Sequence, residues 1–175
     1  MTDTPLKYFA YGSNKSLARL QQRVPSAEFL GLYSLKSHQL TFHNEGVDGS
    51  GKCDAFETGN DNDIVYGALF NMHIKDKPTL DKAEDLGTRY NIKTVTVYRE
   101  DDSLVNLPQK EEAFMYYGLC LEPSLKPFSW YLNHVVIGAK EINSPSDYLA
   151  LLEAIEATED PNTERHHKEF SIHRR

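Results

Sequence analysis

Features that would assign a function at once are scarce in this sequence. It has only two cysteines, Cys53 and Cys120, in 175 residues, too few for a disulfide framework or a cysteine-rich metal site. No apolar run approaches the roughly 20 residues that a membrane-spanning helix needs. Residues 1–7 lack the pattern of a secretory signal. We therefore expect a cytoplasmic protein with reduced thiols and no membrane partner.

Positive charge is also in short supply. Nineteen lysines and arginines stand against 26 aspartates and glutamates, a formal net charge of -7, and the basic residues are scattered along the chain. A nucleic-acid surface needs clustered positive charge. We therefore expect no nucleic-acid partner.

The hydrophobic fraction of 39% and the charged fraction of 26% are ordinary for a globular protein. With no internal repeat, the sequence predicts one domain over residues 1–157 and a charged, solvated tail over 158–175. Residue patterns predict strands at 8–11, at 29–43 in two segments, and at 53–57, 63–73, 90–99 and 111–121. They predict helices at 16–23, 78–86, 131–140 and 144–157. This mixture predicts a mixed α/β (α+β) fold, a small β-barrel or curled mixed sheet with flanking helices.

Two stretches resemble known sites but lack an essential part. Residues 46–53, GVDGSGKC, come within one residue of the P-loop pattern, but Cys53 replaces the Ser or Thr whose hydroxyl holds magnesium. The residues that follow also form helices poorly, so we interpret the stretch as a hairpin loop, with a place at a pocket rim left open. His166, His167 and His173 lie in the charged tail without a carboxylate at ligand spacing, so we expect no metal.

The first candidate site is the stretch YFAYGSN, residues 8–14, where a strand runs directly into a helix. Gly12 allows a ligand to approach the main chain closely, and Ser13 and Asn14 are good helix N-caps. The first amides of a helix have no partner within it and can hold a carboxylate or an oxyanion. On these residues alone, an ordinary strand-to-helix turn is the preferred interpretation.

The second candidate is Glu84, in LDKAEDLG over residues 80–87. On a helix, Glu84 follows Leu80 by four residues and shares its apolar face, where an acid seldom stands without a partner or a purpose. Taken in isolation, a partly exposed glutamate near a helix end is the preferred interpretation.

Five segments together resemble the γ-glutamylcyclotransferase family, and their joint order and spacing carry the resemblance over about residues 8–155. They are YFAYGSN (8–14), RVPSAEFLG (23–31), IVYGALF (64–70), LDKAEDLGTRYN (80–91) and YLNHVVIGAKE (131–141). The resemblance implies a small mixed α/β domain around a β-barrel. It also implies an enzyme that cyclises a γ-glutamyl amide to 5-oxoproline by intramolecular aminoacyl transfer, with release of the amine and without cofactor or metal.

The resemblance also implies roles for individual residues. Glu84 matches the family's catalytic glutamate. The substrate-binding residues that it implies are Tyr8, Phe9, Ala10, Tyr11, Gly12, Ser13, Tyr116 and Tyr131. Tyr117 is the alternative to Tyr116, and core packing is an equal alternative for each of the later tyrosines. Two positions depart from the family pattern, since Lys15 stands where many members have leucine and Asp85 stands where they have glycine.

The implied partner is a small γ-glutamyl substrate, and its leaving amine is left open. A γ-glutamyl amino acid, a γ-glutamylamine and, least favoured, glutathione are the candidates. Two other functions remain as alternatives, a non-catalytic module of the same fold that binds a small acid, and a nucleotide-dependent enzyme. A homodimer is left open.

Overall fold

The computed structural model describes residues 4–103 and 105–174. Within these ranges the chain forms seven β-strands and five α-helices. The strands are β1 (Leu6–Ala10), β2 (Glu28–Lys36), β3 (His38–Glu45), β4 (Gly51–Glu57), β5 (Ile64–Met72), β6 (Tyr90–Arg99) and β7 (Lys110–Gly118). The helices are α1 (Leu17–Gln21), α2 (Lys77–Ala83), α3 (Ser129–Glu141), α4 (Ser146–Glu153) and α5 (Thr163–Ser171).

Five strands close into a barrel in the order β1-β5-β2-β6-β7. Neighbours along this order pair antiparallel, and a parallel contact between β1 and β7, with Tyr8 opposite Phe114, closes it. The structure confirms the predicted mixed α/β class, and of the two predicted forms the barrel is the one that occurs.

Strand β1 carries the core on both of its faces. Phe9 and Tyr11 belong to one buried cluster, whereas Tyr8 and Ala10 belong to the other, as expected when successive side chains of a strand alternate. Gly67 of β5 makes room for Phe9, because a Cβ atom at residue 67 would lie 2.6 Å from the Phe9 ring. The strand that leads into the candidate loop is therefore anchored on both sides.

Strands β3 and β4 form a separate two-stranded sheet. Residues 46–50 connect them, so the stretch that resembles a P-loop is a hairpin loop, as predicted. Inside it, Asp48 accepts a hydrogen bond from the Ser50 amide at 2.9 Å and pairs with Lys52 at 2.8 Å. These contacts close the loop on itself.

The termini of helices α2 and α4 differ from their predicted positions. Helix α2 ends at Ala83 rather than at residue 86, because Asp85 adopts a left-handed backbone with φ of 51° that a helix cannot continue through. This left-handed position suits a glycine, and aspartate is among the residues that tolerate it. Helix α4 starts after Pro145 rather than after a Ser144 cap, and ends at Glu153. The Ser144 amide instead donates to Ala139 at the end of α3.

The charged tail predicted over residues 158–175 contains helix α5, which has no buried residue but makes polar contacts with the rest of the chain. Asn162 caps α5 by accepting from the Arg165 amide, and Arg165 holds Asp160 through two hydrogen bonds of 2.6 and 2.7 Å. Asp160 also accepts from the Trp130 indole at 2.8 Å. The partners of these charged groups are spread along the chain, so local composition does not reveal that the segment docks. No helix within residues 4–103 and 105–174 has the length and apolar content to cross a membrane.

Candidate active site

A cavity lies where β1 ends and the chain enters a 3-10 turn, Ser13–Lys15. Its empty volume, which includes space open to solvent, is about 300 Å³. The residues that line it are Tyr8, Tyr11, Gly12, Ser13, Asn14, Cys53, Glu84, Tyr90, Tyr116 and Tyr131. The fold therefore brings Glu84 and the glycine loop together at one cavity.

The loop that lines this cavity contains main-chain amides that its own turn leaves unused. The first hydrogen bond of the 3-10 turn runs from the Lys15 amide to the Gly12 carbonyl at 3.2 Å, so the turn itself does not use the amides of Ser13 and Asn14. Gly12 has a φ of -104°, which is not left-handed. The lack of a side chain at Gly12 allows the loop to pack closely against Cys53, because a Cβ atom at residue 12 would be 3.0 Å from Cβ of Cys53.

Glu84 caps the C-terminus of α2, one turn after Leu80. Leu80 is fully buried, and the Glu84 side chain is 15% exposed. Its Oε1 atom accepts a hydrogen bond of 2.9 Å from the Asn14 amide group and lies 3.5 Å from a guanidinium nitrogen of Arg23. Two donors thus hold one oxygen of a largely buried carboxylate.

Asn14 organises this corner of the cavity. Besides Glu84, its Nδ2 group donates to the Tyr8 hydroxyl at 3.0 Å, and its Oδ1 atom accepts from Arg23 at 3.1 Å. A carboxylate only accepts and a guanidinium only donates, so these two partners determine which way the amide faces. The predicted capping role is wrong, because Ser16 stands at the N-cap of α1.

Tyr90 and Tyr131 fix strand β4 against the cavity. The Tyr90 hydroxyl donates to the Cys53 carbonyl at 2.7 Å, and the Cys53 amide donates to the Tyr131 hydroxyl at 3.0 Å. Burial raises the pKa of both phenols well above the ordinary value, so they stay protonated. The sequence reasoning missed Tyr90, because an aromatic residue that opens a strand is typical of a core position.

Tyr116, not Tyr117, faces the cavity. Its hydroxyl donates to Asp81 at 2.6 Å, and its carbonyl accepts from the Tyr11 hydroxyl at 2.5 Å. Burial raises the pKa of Tyr116. Tyr117 is the next residue of β7 and lies under the Lys93 ammonium, 5.7 Å from its ring centre. Strand alternation separates the two tyrosines.

Two residues of the implied binding set do not contribute to the cavity wall. Phe9 is fully buried in the first core cluster and packs against Gly67, whereas Ala10 packs in the second cluster and pairs with Ala68 of β5. The structure therefore does not support a binding role for the side chains of Phe9 and Ala10. Tyr8, Tyr11, Gly12, Ser13, Tyr116 and Tyr131 all line the cavity.

A second, wider cavity adjoins the first and has an empty volume of about 920 Å³. The two share Ser13, Glu84, Tyr90 and Tyr131. Basic side chains are prominent in the wall of the wider cavity, namely Arg19, Arg23, Lys52, Arg89 and Arg165, beside the acids Asp48, Asp85 and Glu169. Gly46, Val47 and Asp48 of the hairpin loop lie at its rim.

Lys52 is held firmly in the wall of this wider cavity. Its ammonium lies 4.6 Å from the ring centres of both Trp130 and Tyr131 and 2.8 Å from Asp48, contacts that combine cation–π attraction with an ion pair. Among residues 4–103 and 105–174, no group of three or more His, Cys, Asp or Glu side chains is arranged to hold a metal ion. The side chains and main chain at the two cavities supply carboxylate, hydroxyl, thiol, amide, ammonium and guanidinium groups.

Comparisons with known proteins agree with this geometry. A sequence model of the AIG2-like family matches residues 64–152. The chain is 30% identical over 155 residues to a γ-glutamylcyclotransferase from Bos taurus, covering 85% of this chain and 78% of that protein. It is 31% identical over 160 residues to one from Mus musculus, covering 87% and 79%. A solved structure described as a γ-glutamyl cyclotransferase superposes with a TM-score of 0.77 at 27% identity, covering 88% of this chain and 89% of that one.

Proposed function

The chain belongs to the γ-glutamylcyclotransferase family, which has the AIG2-like fold, and on that premise we propose that it cyclises a γ-glutamyl amino acid to 5-oxoproline and releases the amino acid. The observation that carries the proposal is the contact between Glu84 and the glycine loop. The Glu84 carboxylate lies 2.9 Å from the Asn14 amide group, at a cavity that the loop residues Gly12 and Ser13 also line.

In the proposed reaction the substrate supplies its own nucleophile. Its α-amino nitrogen attacks the γ-carbonyl carbon, so a new C–N bond closes a five-membered ring and the original γ-amide C–N bond breaks. The α-ammonium nitrogen loses two protons as it becomes the ring N–H, and the leaving nitrogen gains two as it departs as an ammonium group. Glu84 accepts these protons one at a time and passes each to the leaving nitrogen. Atoms and charge balance without a cofactor.

The activation free energy of the proposed reaction depends on the proton transfer to Glu84 and on how the substrate is oriented. Moving a proton from an α-ammonium group, with a pKa of about 8, to an ordinary glutamate, with a pKa of about 4.3, costs about 5 kcal/mol. Holding the α-amino nitrogen against the γ-carbonyl carbon in an attacking geometry offsets part of this cost. In the proposed reaction the amides of Ser13 and Asn14, which the 3-10 turn does not use, donate to the developing oxyanion, and such donors stabilise the transition state.

The wider cavity favours an amino acid over a simple amine as the leaving group. It adjoins the small cavity at Glu84, and its wall carries Arg23, Lys52 and Arg89. A leaving group with its own carboxylate would find a complementary charge there, whereas a γ-glutamylamine would bring a neutral or cationic group. The γ-glutamylamine reaction remains the second candidate.

Release of 5-oxoproline, measured by mass spectrometry over a panel of γ-glutamyl amino acids, γ-glutamylamines and glutathione, tests the proposal. We expect the amino-acid members to react best. Glu84→Gln keeps the side-chain size but cannot accept the proton, so turnover should fall by about a thousandfold or more while the melting temperature stays nearly constant. Glu153→Gln on α4, where an exposed glutamate pairs with Lys140, is the matched control and should keep wild-type activity.

Substantial turnover by Glu84→Gln would remove Glu84 from the mechanism. A wild-type chain that binds 5-oxoproline in calorimetry but turns over no panel member would instead favour the non-catalytic binding module.

A further inference from the structure

A chain of hydrogen bonds connects the substrate loop to helix α5. The Arg19 Nε group donates to the Ser13 hydroxyl oxygen at 3.1 Å, and its Nη1 group donates to Oε2 of Glu169 at 2.8 Å. The same Glu169 oxygen lies 2.8 Å from Nε2 of His134, whose Nδ1 atom lies 2.5 Å from Nε2 of His173. Ser13 lines both cavities, so the chain starts at the site and ends near the C-terminus.

The chemistry of its members determines the direction of each bond. Burial alone would raise the pKa of Glu169, but the hydrogen bond from His134 and the charge of Arg19 hold that pKa at about 2. An ionised carboxylate only accepts, so His134 carries its proton on Nε2. Burial lowers the pKa of His134 to about 4, so the ring is neutral near pH 7 and its Nδ1 atom accepts from His173.

The same reasoning sets the role of the Ser13 hydroxyl. A hydroxyl has one proton to donate and two lone pairs that accept. Since Arg19 only donates, it occupies a lone pair of Ser13 and leaves the O–H of Ser13 to another acceptor. Arg19 itself is held in place, because its side chain is 9% exposed and its guanidinium carbon lies 5.9 Å from the ring centre of Trp130.

We propose that Glu169 of helix α5 is a positioning residue for the reaction, acting through Arg19 to hold Ser13 as a hydrogen-bond donor to the substrate. This inference rests on the proposed function. His134 bonds to Glu169, and His173 bonds to His134. In this proposal none of the three touches the reacting atoms. The segment after residue 157 is then part of the catalytic apparatus.

A double-mutant cycle between Ser13→Ala and Glu169→Gln tests the proposal. Glutamine keeps an acceptor for Arg19 but loses the charge that orients it, so we expect kcat/KM to fall by about tenfold, within the range for coupled contacts. In the Ser13→Ala background, the same change at residue 169 should have no further effect, because the group through which Glu169 acts is gone. Thermal melting of all four proteins accompanies the kinetics.

Arg19→Lys supplies a second cycle, which is decisive if Glu169→Gln does not fold. Lysine keeps the charge but lacks the planar fork that reaches two partners, so we expect kcat/KM to fall by about the same factor. In the Ser13→Ala background, Arg19→Lys should have no further effect. Glu164→Gln, an exposed glutamate on the same helix, is the matched control and should leave kcat/KM unchanged.

Each outcome decides the matter. If the loss at residue 169 persists undiminished in the Ser13→Ala background, Glu169 supports the fold in general and the positioning role is wrong. A wild-type chain that fails on every γ-glutamyl substrate overturns the proposed function instead, and the positioning role with it.

Discussion

Asn14 and Lys15 are neighbours in the same 3-10 turn, and both side chains are buried, yet their surroundings are opposite. Asn14 faces the cavity and bonds to Tyr8, Arg23 and Glu84. The Lys15 ammonium faces the body of the protein and has no hydrogen-bond partner among the residues that the structure describes. One side of the turn therefore lines the cavity, and the other side packs against the core.

Lys15 occupies a position suited to an apolar side chain. It is fully buried, lies against α3 at Gly138, and its ammonium is 5.9 Å from the ring centre of Tyr148. Burial lowers the pKa of Lys15 to about 8, since a charged group loses its hydration there. An apolar side chain such as leucine would have no such cost.

The largest expected effect concerns Lys15, on the side of the turn that packs against the core. Lys15→Met replaces the ammonium by an apolar group of similar length, so the free energy of unfolding at pH 7 should rise by about 3 kcal/mol. Turnover should stay at the wild-type level, because Lys15 lies outside the cavity of Glu84. Chemical denaturation of both proteins measures the gain, and Lys168→Met on the exposed face of α5 should show none.

The pH dependence of that gain follows from the direction of the pKa shift. Between pH 8 and pH 10.5 the unfolded lysine binds more protons than the folded one, so wild-type stability rises with pH over this window. The advantage of Lys15→Met should therefore be complete below pH 8 and vanish above pH 10.5. A gap between the two proteins that does not change with pH would contradict this account of Lys15.

The next largest effect concerns Asn14, on the side of the turn that faces the cavity. Asn14→Ala removes the group that holds Glu84, so kcat should fall by about a hundredfold, which is about 2.7 kcal/mol of activation free energy. The melting temperature should change far less than the activity. Steady-state kinetics beside thermal melting separates the two, and a kcat within a factor of about three of wild type would show that Glu84 needs no such support.

The smallest of the three effects concerns Gly138 of α3, which packs against the turn. A Cβ atom at Gly138 would lie 2.6 Å from the Ser16 amide nitrogen and 2.7 Å from Cβ of Lys15, so Gly138→Ala must push the turn away from α3. We expect a loss of about 2 kcal/mol in the free energy of unfolding and a partial loss of turnover. Lys140→Ala, on the exposed side of the same helix, should change stability by no more than about 0.5 kcal/mol, and an equal loss there would contradict the packing explanation.

Much of the site could be predicted because its parts are short motifs. The spacing of Leu80 and Glu84 predicts one shared helix face, and the structure indeed buries Leu80 and holds Glu84 at the cavity. The preference for Tyr116 over Tyr117 agrees with the observed strand, and the hairpin interpretation of residues 46–53 is confirmed.

Other parts could not be predicted, because their partners are distant along the chain. Asn14 and Glu84 are 70 residues apart, and Arg19 and Glu169 are 150 apart. Asn14 has the properties of a helix cap, and Glu169 those of a solvated acid, until the partner of each is known.

The sequence by itself determined the class of fold, the family and the acid that we propose for the reaction, because periodicity, turn chemistry and motif order are local properties. Only the tertiary structure decided which polar groups meet. It joined Asn14 to Glu84, left the Lys15 ammonium without a partner in the described residues, and docked α5 onto Arg19. The physical reason is that a polar side chain takes its role from the partner that replaces water when it is buried, and that partner is a matter of three-dimensional packing.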